Sequence, residues 1–280
     1  MIRARKRFGQ HFLEPAWVDK VVKAIDPQPD QSFIEIGPGP GALTRPLAAR
    51  ARSVTAFEID RDLAAALDAE GIPHLRVIRT DFLELTTNDF VLTTNDSVLT
   101  TVDSRLRVAG NLPYNVASPI MFKLVELHAA GVPLVDAILM LQREVADRLV
   151  APPGSKEYGV LSILIGRAAD VETVLKLPAG AFRPAPNVLS SLVRLRFRAP
   201  RPGVLDDALF DRVVQAVFTR RRKTMSNALL ALAPDAPAQI APGDALAAAG
   251  IDGTRRPETL SIAEFARLAD AYVRAQRAVL

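Results

Sequence analysis

Four consecutive residues in the middle of the chain, Asn111-Leu112-Pro113-Tyr114, have the types needed to activate an amine attached to a nucleobase. Such an amine is a poor nucleophile because its lone pair is delocalised into the ring, so a methylating enzyme must draw that pair out of conjugation. The side-chain oxygen of Asn111 and the carbonyl of Leu112 can accept the two amine hydrogens, and the ring of Tyr114 offers a stacking surface. Asn and Pro are also common in ordinary turns, so these residues alone do not establish a site.

A glycine-rich loop upstream gives this turn its context. The strand-like run 33–36 leads into Gly37-Pro38-Gly39-Pro40-Gly41, where glycine stands at every second position. Glycine lets the backbone approach a ligand closely. Glu58 follows Gly37 by 21 residues at the end of a second apolar run, where an acid commonly binds ribose hydroxyls. The pattern predicts a site for a cofactor that contains a nucleoside.

The glycine spacing and the nearby acids distinguish two such cofactors. A nicotinamide dinucleotide fingerprint spaces its last two glycines three apart and places a pyrophosphate at a helix N-terminus. Here the spacing is Gly-x-Gly-x-Gly, and Glu35 precedes it, which suits the positively charged amino-acid part of S-adenosylmethionine. A third acid, Asp81, ends the strand-like run 75–81 and is placed to accept an adenine amine. Each acid alone could be a solvated strand end, but three in register favour a cofactor site.

With these motifs the chain closely resembles the bacterial small-subunit ribosomal RNA adenine dimethyltransferases, which dimethylate two adjacent adenines near the 3′ end of that RNA. The resemblance covers nearly the whole sequence. The matching blocks are 6–13, 35–44, 58–63, 111–119, 140–145 with 158–159, 182–188, 220–227 and 250–268. It implies a Rossmann-like α/β fold, transfer of methyl groups from S-adenosylmethionine to adenine N6 amines, and a role in ribosome biogenesis on an immature small subunit.

The resemblance also implies which residues form the site. The residues implied to bind S-adenosylmethionine are His11, Leu13, Gly37, Gly39, Glu58, Asp81 and Asn111. Asn111, Leu112 and Tyr114 would hold the target adenine, and Phe182 would stack on its far face. Core packing is the competing interpretation of both rings, but flanking prolines place them on loops and favour exposure. Many family members have Asn where this chain has His11, so the hydrogen bond expected there falls to an imidazole nitrogen or to the backbone.

The densest basic run, Arg220-Arg221-Arg222-Lys223, is the candidate RNA-binding segment. Successive helical positions point nearly all round a helix axis, so all four side chains cannot face one RNA backbone. A solvated helix face is the alternative, and the resemblance favours RNA contact. The net charge of +4 and the isoelectric point near 9.6 are compatible with a polyanionic partner but do not establish one.

The patterns divide the chain into an α/β part and a mostly helical part. Strand and helix patterns alternate from Phe33 to about Leu141, as in a mainly parallel sheet with ligands at the strand carboxyl ends. Ser118 is expected to cap a helix, and the alternating run 190–198 is expected to form a strand that could close the sheet. Breakers at 199–203 separate a predicted catalytic domain, 1–200, from a predicted helical RNA-binding domain, 204–280.

A tandem seven-residue repeat occupies residues 85–104, between the third and fourth strand-like runs. Thr, Asn, Asp and Ser are poor helix formers and only three units exist, so a coiled coil is not expected. We interpret the repeat as a duplicated surface insertion, either a tolerated loop or an added hairpin. A lid or an RNA contact is the alternative, because the ends of the repeat lie close in sequence to Asp81 and Asn111.

Composition excludes several classes of protein. The chain has no Cys, which excludes disulfides, thiolate metal sites and a cysteine nucleophile. Its three histidines lie far apart, so no metal site is expected. Without a membrane-length apolar run or an apolar signal region after the basic N-terminus, we expect a cytoplasmic protein, and nothing indicates more than a monomer.

Three other functions stay open at this point. One is methylation of adenine in large-subunit RNA, as in the related antibiotic-resistance enzymes. A second is a non-catalytic ribosome-assembly factor that uses the cofactor fold as a scaffold, and the third, a nicotinamide oxidoreductase, is disfavoured by the glycine spacing.

Overall fold

The computed structural model describes residues 11–90, 105–232 and 240–279, which form two compact units. The first unit contains the described residues up to Ala146 together with Ala169–Arg198. The second contains Asp147–Ala168 and the described residues from Ala199 onward. The domain limits expected from the sequence, 1–200 and 204–280, stay a prediction, and the structural division differs by giving residues 147–168 to the second unit.

The first unit is built on β-strands. The strands are β1 (Phe12–Leu13), β2 (Ser32–Ile36), β3 (Ser53–Glu58), β4 (Leu75–Arg79), β5 (Leu106–Asn111), β6 (Leu134–Gln142), β7 (Ala169–Leu177), β8 (Phe182–Arg183) and β9 (Ser190–Phe197). Seven of them form one sheet in the order β4-β3-β2-β5-β6-β9-β7, and β1 pairs with β8. The five strands from β4 to β6 are parallel, while β9 and β7 are antiparallel to their neighbours. This arrangement confirms the expected Rossmann-like α/β fold.

Helices connect these strands and make up most of the second unit. In chain order they are α1 (Pro15–Ile25), α2 (Thr44–Ala48), α3 (Arg61–Asp68), α4 (Ala117–Ala129), α5 (Arg143–Leu149), α6 (Val160–Ala168), α7 (Asp207–Thr219), α8 (Met225–Ala228), α9 (Pro242–Ala248) and α10 (Ile262–Val279). In the second unit the core is formed by apolar side chains of α6, α7 and α10, among them Ile163, Phe210 and Phe265, all fully buried. The mostly helical C-terminal part is therefore as expected.

The two central strands, β2 and β5, carry the residues that reach the functional edge of the sheet. Every residue of β2 is buried, and so is every residue of β5 before Asn111. A strand without alternating exposure is one covered on both faces, as is usual in parallel sheets. The ends of these strands are therefore held by core packing.

A buried ion pair anchors β5 near its first residue. Arg107 donates to Asp136 of β6 at 2.8 Å, and both side chains are almost fully buried. The same guanidinium also donates to the carbonyls of Ile25 and Asp26 and to the side chain of Gln31. Because the donors are satisfied, the cost of burying this charge is offset. The pair fixes the strand that ends at Asn111.

Two expectations about elements are wrong. Helix α4 begins at Ala117 with Val116 as its N-cap residue, so Ser118 lies inside the first turn. Pro119 is tolerated there because the first N–H groups of a helix have no intrahelical acceptor. Strand β9 does not close the sheet, since β7 lies outside it. The sequence of β7 does not reveal a strand because most of its residues are exposed or half-buried.

The described part of the repeat, residues 85–90, packs against the first unit. Leu85 and Phe90 are buried, and a short turn between them is closed by Thr86 and Asp89, whose hydroxyl and carboxylate are 2.8 Å apart. Residues 91–104 lie outside the described residues. The interpretation of the repeat as a surface insertion stays a prediction.

Candidate active site at the carboxyl edge of the sheet

A cavity of about 170 Å³ lies where β2, β3, β4 and β5 end. Of the residues expected to bind the cofactor or the target adenine, all except Phe182 line this one cavity. They are His11, Leu13, Gly37, Gly39, Glu58, Asp81, Asn111, Leu112 and Tyr114. The carboxyl ends of parallel strands meet at one edge, which is why residues so far apart in sequence converge here.

The glycine loop after β2 adopts backbone conformations that favour glycine. Gly37 and Gly39 have φ angles of +67° and +56°. A Cβ atom on Gly39 would also lie 3.3 Å from the ring of Phe12, a close contact. The N–H of Gly39 donates to a carboxylate oxygen of Glu58 at 2.9 Å. The loop is thus shaped by its glycines and tied to the end of β3.

Glu58 is buried at the end of β3 and its two oxygens are both engaged by backbone. One oxygen accepts the N–H of Gly39 and the other accepts the N–H of Asp60, each at 2.9 Å. Burial raises the pKa of this carboxyl, and the backbone hydrogen bonds act against that rise. A carboxylate oxygen can accept more than one hydrogen bond, so Glu58 keeps acceptor capacity for ribose hydroxyls.

Glu35 is a second buried acid of the same cavity, and its carboxyl group has fewer hydrogen-bond partners than that of Glu58. Its side chain is 2% exposed, and its Oε2 atom has no hydrogen-bond partner within the part of the chain that the structure describes. Burial raises the pKa of the carboxyl to about 7, with a lowering effect from the Thr44 hydroxyl and a raising effect from the charge of Glu58. A positively charged ligand group in the cavity would supply the missing partner.

Asp81 follows β4 and caps a short turn. Its Oδ1 atom accepts the N–H of Leu83 at 2.9 Å, which leaves Oδ2 for a ligand. Ile59 and Phe82 also line the cavity beside it. Ile59 is a large apolar side chain with 50% exposure, and it directly follows the ribose candidate Glu58. The sequence did not single out Ile59, because a lone exposed apolar residue is common on protein surfaces.

The turn after β5 presents two hydrogen-bond acceptors. The Nδ2 atom of Asn111 donates to the backbone carbonyl of His11 at 2.7 Å, so the amide oxygen is left to accept. In the described residues no hydrogen bond ends on the carbonyl of Leu112. The contact of Asn111 is made to the His11 backbone, so it does not depend on the side chain that departs from the family pattern.

Tyr114 is half-buried and is fixed by two side chains. Its hydroxyl lies 2.8 Å from the hydroxyl of Ser190, and its ring stacks on the His11 ring with centroids 5.6 Å apart. Burial raises the pKa of Tyr114, and the Ser190 hydrogen bond acts against that rise. The imidazole of His11 is held in turn by the carbonyl of Pro184 at 2.7 Å.

The exposure expected for Phe182 is wrong. The residue is 3% exposed and belongs to a core cluster with Leu13, its partner in the pairing of β1 with β8. It does not line the cavity. The flanking proline suggested a loop, but Phe182 lies in the short strand β8, whose pairing with β1 places the ring in the core. Stacking on adenine would require this ring to leave its packed position.

The basic run of the second unit is not helical, because α7 ends at Thr219. Arg221 donates to the carbonyls of Ser155 and Lys156, the latter at 2.6 Å, so it serves the fold of this unit. Arg222 and Lys223 are exposed in the turn that follows, and Arg220 is exposed with one contact to the carbonyl of Asn227 at 3.3 Å. These three are the available RNA-binding candidates of the run.

Two kinds of feature are absent from the described residues, 11–90, 105–232 and 240–279: a metal-binding cluster and a membrane-spanning helix. No cluster of three or more His, Cys, Asp or Glu side chains suited to a metal ion occurs among them. Nor does any helix there combine the length and apolar composition required to cross a membrane.

Comparison with known proteins gives relatives over the whole length of the chain. A protein of Nitrosococcus oceani named ribosomal RNA small subunit methyltransferase A is 43% identical over 281 residues, covering 98% of both chains. A protein of the same name from Acinetobacter baylyi is 42% identical over 276 residues, covering 97% of this chain and 93% of its own.

Two solved structures are also similar to this chain over most of its length. A dimethyladenosine transferase from Plasmodium falciparum superposes with a TM-score of 0.70 at 25% identity, covering 92% of this chain and 96% of that one. The 23S rRNA methyltransferase ErmE gives a TM-score of 0.61 at 26% identity, with 94% and 99% covered. The model of the family described as ribosomal RNA adenine dimethylase matches residues 1–272. The chain therefore belongs to the ribosomal RNA adenine dimethylase family.

Proposed function

We propose that this protein transfers methyl groups from S-adenosylmethionine to the N6 amines of two adjacent adenines near the 3′ end of small-subunit ribosomal RNA, within an immature small subunit. The observation that carries the proposal is the turn after β5, where Asn111 and Leu112 present two hydrogen-bond acceptors beside the cavity. The relatives named for the small subunit are 42% and 43% identical, against 26% for ErmE, which favours small-subunit over large-subunit RNA.

The charges of the cavity support this cofactor over a dinucleotide. Three acids, Glu35, Glu58 and Asp81, line the cavity, and no Lys or Arg is among its described lining residues. A pyrophosphate would need donors and positive charge there, whereas a sulfonium and an ammonium group are favoured by acids. Glu58 would hold the ribose, Asp81 the adenine amine, and Glu35 lies in a position to compensate the positive charge. S-adenosylmethionine, when bound, supplies an electrophilic methyl group.

The protein's part in the reaction is to orient and desolvate the target amine. The amide oxygen of Asn111 and the carbonyl of Leu112 each accept one amine hydrogen, which directs the nitrogen lone pair at the methyl group. The amine proton becomes acidic only as the new N–C bond forms, so these neutral acceptors can pass it to water without a strong base. Most of the rate enhancement then comes from positioning and exclusion of water.

RNA is held by surfaces outside the cavity. We assign phosphate contacts to Arg220, Arg222 and Lys223, because their side chains are exposed. The stacking of the target base on Tyr114 offsets part of the cost of unstacking it, which is a few kcal/mol in general. We therefore assign binding of the RNA backbone and orientation of the target amine to different residues.

The experiment that tests the proposal uses this separation. Purified protein is incubated with labelled S-adenosylmethionine and small subunits that lack these methyl groups, and the digested RNA is analysed for dimethyladenosine. Replacing Asn111 by Ala should lower turnover about 100-fold while subunit binding changes less than about twofold, because positioning is lost and the RNA surface is intact. Asn88→Ala, an exposed amide outside the cavity, is the matched control and should behave as wild type.

Two results would contradict the proposal. Equal losses of binding and turnover in Asn111→Ala would remove the assigned role of this residue. Tight subunit binding without any dimethyladenosine in the wild type would favour a non-catalytic assembly factor.

A further inference from the structure

A buried serine hydroxyl contacts Tyr114, the aromatic ring to which stacking of the target base is assigned. The Oγ atom of Ser190 lies 2.8 Å from the hydroxyl of Tyr114, and Ser190 is 1% exposed. Ser190 is not among the residues that line the cavity. Within the described residues, the Ser190 hydroxyl is connected to the cavity by its hydrogen bond to Tyr114.

The two partners of this hydrogen bond differ in how firmly their backbones are held. Ser190 is the first residue of β9 and is paired on one side with Gln142 of β6 and on the other with Leu177 of β7. Tyr114 lies on the irregular turn between β5 and α4, outside any helix or strand. The backbone of Ser190 is held by strands on both sides, so the hydrogen bond of its hydroxyl restricts the motion of the Tyr114 ring.

Stacking on the His11 ring further restricts the orientation of the Tyr114 ring. The His11 imidazole stacks on one side of Tyr114 with an interplanar angle of 24°. Contact on one face and a hydrogen bond at the hydroxyl together restrict both the tilt and the rotation of the ring.

We propose that Ser190 is a positioning residue for the target adenine, fixing the plane of Tyr114 and thereby the angle at which the amine meets the methyl donor. This inference rests on the proposed function. Small errors in the placement of reacting groups lower rates strongly, so the effect of losing the hydrogen bond falls on turnover more than on binding.

Three variants measure this effect. Ser190→Ala should lower kcat about tenfold, with the KM for subunits and the Kd for S-adenosylmethionine each within about twofold of wild type. Tyr114→Phe removes the same hydrogen bond and should lower kcat by a similar factor. The double variant should be no slower than the slower single variant, because both changes remove one interaction. A purely structural serine would lower stability without this non-additivity in kcat.

Ser191→Ala is the matched control. Ser191 is the next residue of β9, is 2% exposed and pairs with Leu141 and Lys176, and the side chains of successive strand residues point to opposite faces of the sheet. In the described structure the hydroxyl of Tyr114 is hydrogen-bonded to Ser190 and not to Ser191. Its variant should keep wild-type kcat. A loss equal to that of Ser190→Ala would indicate general damage to the strand and would overturn the inference.

The remaining outcomes are equally decisive. Wild-type kcat in Ser190→Ala, or losses that multiply in the double variant, refute the positioning role. If Ser190→Ala does not fold, as judged by thermal unfolding, Tyr114→Phe carries the test, because wild-type kcat in that variant refutes it as well. Failure of the wild type to form dimethyladenosine refutes the proposed function instead, so the two failures are distinguishable.

Discussion

Replacing Glu35 with Gln should abolish a loss of stability that the unliganded protein suffers as the pH rises. Glu35 is 2% exposed and lacks a partner for Oε2 in the described structure, and burial raises its pKa from 4.5 to about 7. The folded protein therefore holds a proton on this carboxyl at pH values where the unfolded chain has released it.

The sign and size of the effect follow from that difference. Below pH 4.5 the carboxyl is protonated in both states, and the free energy of unfolding is unaffected. Between pH 4.5 and about 7 only the folded state stays protonated, so the free energy of unfolding falls as the pH rises. The total loss is about 3 kcal/mol, because each pKa unit corresponds to about 1.4 kcal/mol.

The assay is urea unfolding of wild type and Glu35→Gln, without ligand, between pH 5 and pH 8. Gln is neutral throughout, so the stability of the variant relative to wild type should increase with pH by about 3 kcal/mol and level off above pH 7. Glu70→Gln is the control. Glu70 is an exposed acid whose pKa is lowered by its ion pair with Arg45, so it is ionised in both the folded and the unfolded state across this pH range, and the stability of its variant relative to wild type should stay nearly constant.

A difference between wild type and Glu35→Gln that stays constant with pH would refute the reasoning, because Glu35 would then ionise like an exposed acid. Adding S-adenosylmethionine gives a second check. Its positive charge should lower the pKa of Glu35 and flatten the pH dependence of the wild type.

Three further outcomes are expected. Arg107→Ala should lower the free energy of unfolding by about 3–5 kcal/mol in urea, because it removes the closer of the two cations that compensate the buried charge of Asp136, the other being Arg194 at 3.5 Å. Phe182→Ala should cost a similar amount, about 3–5 kcal/mol, with little change in the Kd for S-adenosylmethionine, since the ring lies in the core and not in the cavity. Arg221→Ala should lower stability, because its carbonyl contacts are lost, whereas Arg222→Ala should keep stability and reduce the salt slope of RNA binding by about 1.

The cofactor side of the cavity could be predicted because its signals are local. A buried strand, a glycine loop and an acid at the next strand end are each contained in a few residues, and the parallel sheet brings the strand ends together. Glu58 and Asp81 could therefore be found from the sequence. The unpaired oxygen of Glu35 could not, because it depends on what packs around the side chain.

The base side of the site depends on contacts distant in sequence. Phe182 is buried through the pairing of β8 with β1, and the partner of Tyr114 is Ser190, 76 residues away. Neither contact leaves a pattern in the sequence. Strand β7 was missed for a related reason, because charges such as Glu172 replace the apolar alternation there and pair with Arg196.

The membership of residues 147–168 in the second unit also had no local signal. Helix α5 runs through the division between Ala146 and Asp147, and β7 begins directly after α6 ends. Breakers such as those at 199–203 are therefore absent from both ends of this segment.

This discontinuity has a consequence for how the chain folds as it is synthesised. Residues 147–168 leave the ribosome before the rest of their unit, and Ile163 and Ile165, fully buried in the finished fold, are made before Phe210 and Phe265. Until those partners emerge, α6 exposes apolar surface of the kind that chaperones bind and that promotes aggregation. For the same reason, a fragment that begins at Ala199 lacks α6 and should not fold alone, whereas one that begins at Asp147 retains every segment of the unit.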